Sequence, residues 1–230
     1  MARTALITGA SSGLGAEYAR QLAARGADLV LVARDRGALD RLGAELARDH
    51  RTPFEVLVAD LTKPRQRDRV VARLSDPARP VEMLVNNAGF GLDLAFETND
   101  IDDEARHLAL HVEVPMRLMR AVLPGMLERG SGRIVNVASV AGFIPRSTYG
   151  ACKGWLISFS RWANGRYAPS GVTVTAVCPG LTPTGFHERM GLAPGNEGGS
   201  GPLWPAASAV VSESLRGVAR GDADTCASPR

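Results

Sequence analysis

Lysine is nearly missing from this chain. Of its 27 basic residues only Lys63 and Lys153 are lysines, and the rest are arginine. Cysteine is scarce as well: Cys152, Cys178 and Cys226 are too few and too unevenly spaced for a disulfide framework or a zinc site, and no metal is expected. No apolar run approaches the roughly 18 residues of a membrane span, so no membrane partner is expected. Charge of one sign is also lacking. The net charge is +3, and the arginines are scattered without a basic run or interleaved aromatics, which argues against nucleic acid as a partner. A strand-like run begins within the first few residues and leaves no room for a signal peptide, so a cytoplasmic location is expected.

What is present suits a folded chain of 230 residues. Hydrophobic residues make up 45% and charged residues 22%, enough to bury a sizeable core. Short β-branched runs alternate with helical stretches. Strands are expected at Thr4–Thr8, 29–33, 54–59, Met83–Asn86, 133–138 and 172–177. Helices are expected at 14–25, 37–50, 65–74, 103–129, Thr148–Tyr167 and 206–219, the fourth strained or bent near Pro115 and Pro124. The strand cores are apolar throughout rather than alternating, as in a parallel sheet covered on both faces. The fold class is therefore α/β: a doubly wound parallel sheet of Rossmann type, whose ligands bind at the carboxyl ends of the strands. No repeat or linker interrupts residues 1–190, and a single domain over 1–230 is expected. The Gly- and Pro-rich stretch at 191–205 suggests a mobile lid over 185–205. The polar tail, 220–230, reads as irregular, which puts a seventh strand in doubt.

The run Gly9-Ala10-Ser11-Ser12-Gly13-Leu14-Gly15 lies between the first strand and the first helix. Small residues are required where the chain turns sharply and its backbone approaches a pyrophosphate. The helix start then offers free N–H groups to the phosphates. Tyr149 and Lys153 form a second group: four residues apart on a helix, they share one face. A phenol needs about 4 kcal/mol of help to ionise near neutral pH, which nearby positive charge can supply. A lysine at this position, in a chain that otherwise uses arginine, suggests a need for a compact ammonium.

The spacing Gly9-x3-Gly13-x-Gly15 after Thr8 resembles the TGxxxGxG turn of the short-chain dehydrogenase/reductase family. The likeness covers about residues 3–190. It implies that Ser11, Ser12 and Leu14 line the turn with the glycines. It places Asp60 and Leu61 beside an adenine, and Asn87, Ala88 and Gly89, within the NNAG run, along a ribose. Pro179, Gly180, Thr182 and Thr184 would hold a nicotinamide amide. Tyr149 is then the general acid/base, Lys153 binds ribose and tunes it, and Ser139 holds the substrate oxygen. Two departures stand out. Ser139 and Tyr149 are ten residues apart where many relatives have about thirteen, and the position of the family asparagine is taken by His111. That histidine either holds a water in a proton relay or packs beside the sheet.

Where NAD-preferring relatives carry an acid at the tip of the second strand, this chain has Ala33 followed by Arg34, which suits the 2′-phosphate of NADP(H). Asp35, one residue on, keeps NAD(H) possible. The expected activity is hydride transfer between NADP(H) and a small-molecule ketone or secondary alcohol. The competing reading is a non-catalytic, nucleotide-sensing protein, which would tend to lose Tyr149 or Lys153. An apolar pocket from Phe186, Met190, Leu192, Leu203 and Trp204 and ordinary packing of these residues are equally open. The resemblance implies a homodimer or homotetramer.

Overall fold

The computed structural model describes residues 4–144, 147–180, 182 and 206–226. Seven parallel strands form one sheet in the order β3-β2-β1-β4-β5-β6-β7. They are β1 (Thr4–Thr8), β2 (Asp28–Ala33), β3 (Phe54–Val58), β4 (Met83–Asn86), β5 (Gly132–Val137), β6 (Val172–Cys178) and β7 (Asp224–Cys226). Helices α1 (Gly13–Ala23), α2 (Arg36–His50), α3 (Pro64–Leu74), α4 (Ile101–Leu108), α5 (Val114–Glu128), α6 (Thr148–Tyr167) and α7 (Ala207–Arg220) cover both faces. Among the described residues no helix is long and apolar enough to cross a membrane.

Alternate residues of each strand feed two cores. Ile7, Leu31, Val85 and Val135 meet Tyr18, Leu39, Leu46 and Leu215 on one face. Leu6, Val30, Leu84 and Ile134 meet Val70, Leu118 and Met126 on the other. Strand order reverses between β1 and β4, so their carboxyl ends diverge into a crevice.

The seventh strand, doubtful from its polarity, is present. It is held by polar ties rather than apolar burial. Ala176 N–H donates to Ala223 O at 2.9 Å and Thr175 Oγ1 to Asp222 O at 2.6 Å. Asn164 accepts from Val174 N–H and donates to Gly221 O, and Arg161 pairs with Asp224. The expected helix 103–129 is three segments. Pro115 cannot donate to His111 O, and its ring crowds that carbonyl, so the chain widens into a π segment at Ala109–Glu113 between α4 and α5. Pro124 sits inside α5 without breaking it.

The crevice is fastened at its floor by the buried Thr8. Its hydroxyl donates to Val85 O at 3.2 Å and accepts the N–H groups of Asn87 at 2.9 Å and Ala88 at 3.0 Å. Asn87 Nδ2 returns to Thr8 O at 3.0 Å and Gly9 O at 3.3 Å. Thr8→Val keeps the volume but strands two amides, and is expected to cost about 1–3 kcal/mol in urea unfolding. An unchanged midpoint would contradict this role.

Candidate active site at the carboxyl edge of the sheet

The glycine turn leaves β1 with Gly9 at φ 66° and Gly13 at φ 54°, conformations that a side chain would strain. A Cβ on Gly15 would lie 2.2 Å from Gly9 O, and one on Gly9 2.8 Å from Asn87 Nδ2. Ser12 is the N-cap of α1, yet its side chain makes no capping hydrogen bond among the described residues, and the first turn holds no acid. Exposed Ser12 and Gly13, with half-buried Ser11 and Leu14, thus present uncapped amides at the positive end of a helix. This cradle fits a pyrophosphate.

Around it, Arg34 is exposed just past β2. Asp35 accepts the Ala38 N–H at 3.0 Å as N-cap of α2, so this carboxylate is committed to its helix. Asp60 Oδ1 accepts from Thr62 N–H and from Thr62 Oγ1 at 2.7 Å. Burial pushes the Asp60 carboxyl up, but the Thr62 bonds and the charges of Arg34 and Lys63 outweigh it and hold the acid below its ordinary range. Leu61 turns into the core. Asn87, Ala88 and Gly89 follow β4, with Asn87 engaged in bracing the turn.

At the far side of the crevice β5 ends at Ser139, whose Oγ accepts the Ala141 N–H at 3.2 Å and is hydrogen-bonded to Tyr149. Lys153 is 5% exposed; its Nζ donates to Val137 O at 2.7 Å and lies 5.4 Å from the centre of the Tyr149 ring. Burial pushes Tyr149 up to about 12, against the lowering effect of Ser139, and drops Lys153 to about 8. Burial thus favours the protonated form of the Tyr149 phenol. Protonated Tyr149 can donate to an oxygen held at Ser139.

The short loop between Ser139 and Tyr149 is accommodated by close backbone contact. Residues Val140–Phe143 form a 3-10 turn that lies directly on α6. Cβ atoms on Gly142 and Gly150 would sit 2.8 Å from Lys153 C and 2.9 Å from Ala141 O. α6 is keyed beneath the site by a buried ladder: Asn86 Nδ2 to Asn136 Oδ1 at 2.9 Å, Asn136 Nδ2 to Ser160 Oγ at 2.9 Å and Ser160 Oγ to Leu156 O at 2.7 Å. The next loop joins in, as Val140 N–H donates to Pro179 O at 3.0 Å. Gly180 follows, and Thr182 is buried with Oγ1 3.4 Å from Gly180 O. Thr184, the five apolar residues expected to line a pocket and the expected lid at 185–205 lie outside the described residues.

The π segment brings His111 to the site, 2% exposed, with its ring centre 5.5 Å from that of Tyr149. Gly89 makes room, since a Cβ there would meet His111 Cε1 at 2.5 Å. One residue escaped the sequence reading. His107, one turn earlier on the same helix face, is fully buried with its ring 4.4 Å from His111 and 6.0 Å from Tyr149. The i, i+4 spacing of the two histidines was the available signal.

The profile of the short chain dehydrogenase family matches residues 3–193. An uncharacterised oxidoreductase of Staphylococcus epidermidis is 32% identical over 189 residues, covering 81% of this chain and 80% of that one. Among solved structures, a short-chain dehydrogenase from Sphingobium yanoikuyae in complex with NADPH is 39% identical, with a TM-score of 0.90 over 97% of this chain and 87% of its own. The bulky-bulky ketone specific alcohol dehydrogenase from Comamonas testosteroni is 35% identical, with a TM-score of 0.86 over 97% and 85%. The chain belongs to the short-chain dehydrogenase family of oxidoreductases.

Proposed function

We propose that this protein transfers hydride between NADP(H) and a ketone or secondary alcohol. One observation carries the reading: Ser139, Tyr149 and Lys153 converge beside the crevice that the uncapped glycine turn opens. A reduced nicotinamide held in that crevice would supply the hydride to the carbonyl carbon. Ser139 orients the carbonyl oxygen, and Tyr149 donates its proton to it. Lys153 has donors beyond the one given to Val137 O, and these bind ribose hydroxyls. Oxidation runs the same proton the other way. Retention of both Tyr149 and Lys153 disfavours the nucleotide-sensing alternative.

The preference for NADP(H) rests on Arg34 beside the Asp60 carboxylate, on the commitment of Asp35 to α2, and on the NADPH held by the Sphingobium relative. Gly9, Ser11, Ser12, Gly13, Leu14 and Gly15 would hold the pyrophosphate, and Asp60 and Leu61 would lie on the adenine side. Asn87, Ala88 and Gly89 would follow the ribose, and Pro179, Gly180, Thr182 and Thr184 would hold the nicotinamide. An apolar substrate accords with exposed Val140, Phe143 and Ile144 just after β5 and with the bulky-bulky ketone specificity of the Comamonas relative. A cytoplasmic setting accords with three free thiols, Cys152, Cys178 and Cys226.

Homo-oligomer formation accords with a cavity of about 610 Å³ between α5 and α6, lined by Met116, Leu123, Phe159 and Trp162, whose Trp162 is 57% exposed. Light scattering is expected to give the mass of a dimer or tetramer; a single-chain mass contradicts this. Tyr149→Phe is expected to cut ketone reduction at least about 100-fold while NADPH binding, followed by fluorescence, stays within about twofold. Arg34→Ala is expected to weaken NADPH about tenfold and leave NADH unchanged. A Tyr149→Phe protein that turns over at the wild-type rate sinks the proposal.

A further inference from the structure

Two cysteines meet at the edge of the sheet and have no part in the chemistry so far described. Cys178 is the last residue of β6 and Cys226 the last of β7, and they are register partners on the final rung between the two strands. Register partners on neighbouring strands point their side chains to one face, and their Cα atoms lie about 4.8 Å apart, inside the span of about 4.4–6.8 Å that a disulfide bridges. The two side chains are already joined by a hydrogen bond, and both are free thiols. The third cysteine, Cys152, is buried on α6 beside His107 and faces neither of them.

The two thiols differ in their surroundings. Cys226 is exposed. Cys178 is 0% exposed and packs with Ala138, Leu156 and Ile157 under α6. Burial first, then Cys226 and Asp224, push the Cys178 thiol up against the opposing charge of Arg161, so it holds its proton and is closed to reagents from solvent. An exposed sulfur backed by a buried one suits a two-step exchange, in which the outer sulfur takes up a reagent and the inner one releases it. The place also matters to the fold. β7 has three residues, and beyond its ladder it is tied by the Thr175, Asn164 and Arg161 side chains. β6 runs directly into Pro179, whose carbonyl accepts the Val140 N–H, so Cys178 stands at the root of a loop that borders the site.

We infer that Cys178 and Cys226 form a thiol–disulfide exchange site for low-molecular-weight disulfides, and that its closure latches β7 to β6. In the first step Cys226 gives up its proton, and its sulfur attacks one sulfur of the reagent RS–SR. That bond breaks, leaving RS on Cys226 and releasing RS⁻, which takes up a proton as RSH. In the second step Cys178 gives up its proton, and its sulfur attacks the Cys226 sulfur and displaces the second RS⁻, which leaves as RSH. The two cysteines are oxidised to one disulfide, and the reagent is reduced to two thiols. Nothing in these steps draws on a nicotinamide or a carbonyl.

The test uses the reduced full-length chain with oxidised glutathione as the probe, followed by acid quench, alkylation and mass mapping. The wild-type protein is expected to lose two hydrogens, to retain no glutathione and to yield one peptide pair joined through Cys178 and Cys226. Dithiothreitol is expected to restore all three thiols. Cys178→Ala is expected to stop at the first step and keep one glutathione on Cys226, and Cys226→Ser is expected to take up none. The bridge closes a loop of about 50 residues and is expected to raise the thermal midpoint by at least about 4 °C. Amide exchange in 222–226 is expected to slow when the bridge is closed. Three thiols left free, glutathione lasting on wild-type Cys226, or a bridge between two chains overturns the exchange site. An unchanged midpoint and unchanged exchange with the bridge closed overturn the latch. A protein inactive on every carbonyl overturns the hydride-transfer reading and leaves these outcomes as they are.

Discussion

The bracing of the β1 end against the β4 end by Thr8 and Asn87 is the constraint on which the rest of the site depends. The β1–β4 ladder ends at Ile7 and Val85, and strand order reverses there, so the two loops beyond it part. One hydroxyl and one carboxamide extend the connection: Thr8 Oγ1 accepts two amides from the β4 loop, and Asn87 Nδ2 donates to the carbonyls of Thr8, at the end of β1, and Gly9, in the glycine turn. With the turn pinned, the first amides of α1 point into the crevice at a fixed height. Ser12 makes no side-chain cap on α1, which leaves these amides free to meet an anion.

The other half of the site is positioned by a different device. Asn86 and Asn136 are register partners on β4 and β5, and their side chains run through Ser160 into α6. This buried polar ladder fixes the rotation of the helix that carries Tyr149 and Lys153. The close approach of Gly142 to α6 sets the height of Ser139 relative to them. Two networks, one from each side of β4, therefore bring the glycine turn and the group of Ser139, Tyr149 and Lys153 into one crevice.

Much of this was legible in the residues. The strand–helix alternation, the spacing of Gly9, Gly13 and Gly15 and the Tyr149–Lys153 pair all encode backbone geometry directly, and the structure places them as expected. Less legible were features that arise from long-range partners. β7 is polar and short, and besides its ladder to β6 it is secured by Asn164, Thr175 and Arg161 on distant elements. The bend expected near Pro115 became a π segment, because the neighbouring turn widened instead of kinking. The depth at which Tyr149 and Lys153 lie was also not legible in their spacing: burial pushes the phenol up to about 12 and the ammonium down to about 8. His107 carried no motif at all, and its place beside Tyr149 follows from the π segment that turns its helix.

The central claim is that this crevice passes a hydride to a carbonyl carbon while Tyr149 handles the proton. Deuterium tracing separates the two particles. The protein would be given NADPH carrying deuterium at the transferred position of C4 together with a ketone in ordinary water, and the alcohol analysed by mass spectrometry. One deuterium is expected on the carbinol carbon, and none there when the label is moved to the solvent. Alcohol whose carbon takes its hydrogen from solvent, or no alcohol at all across a panel of ketones, would contradict it.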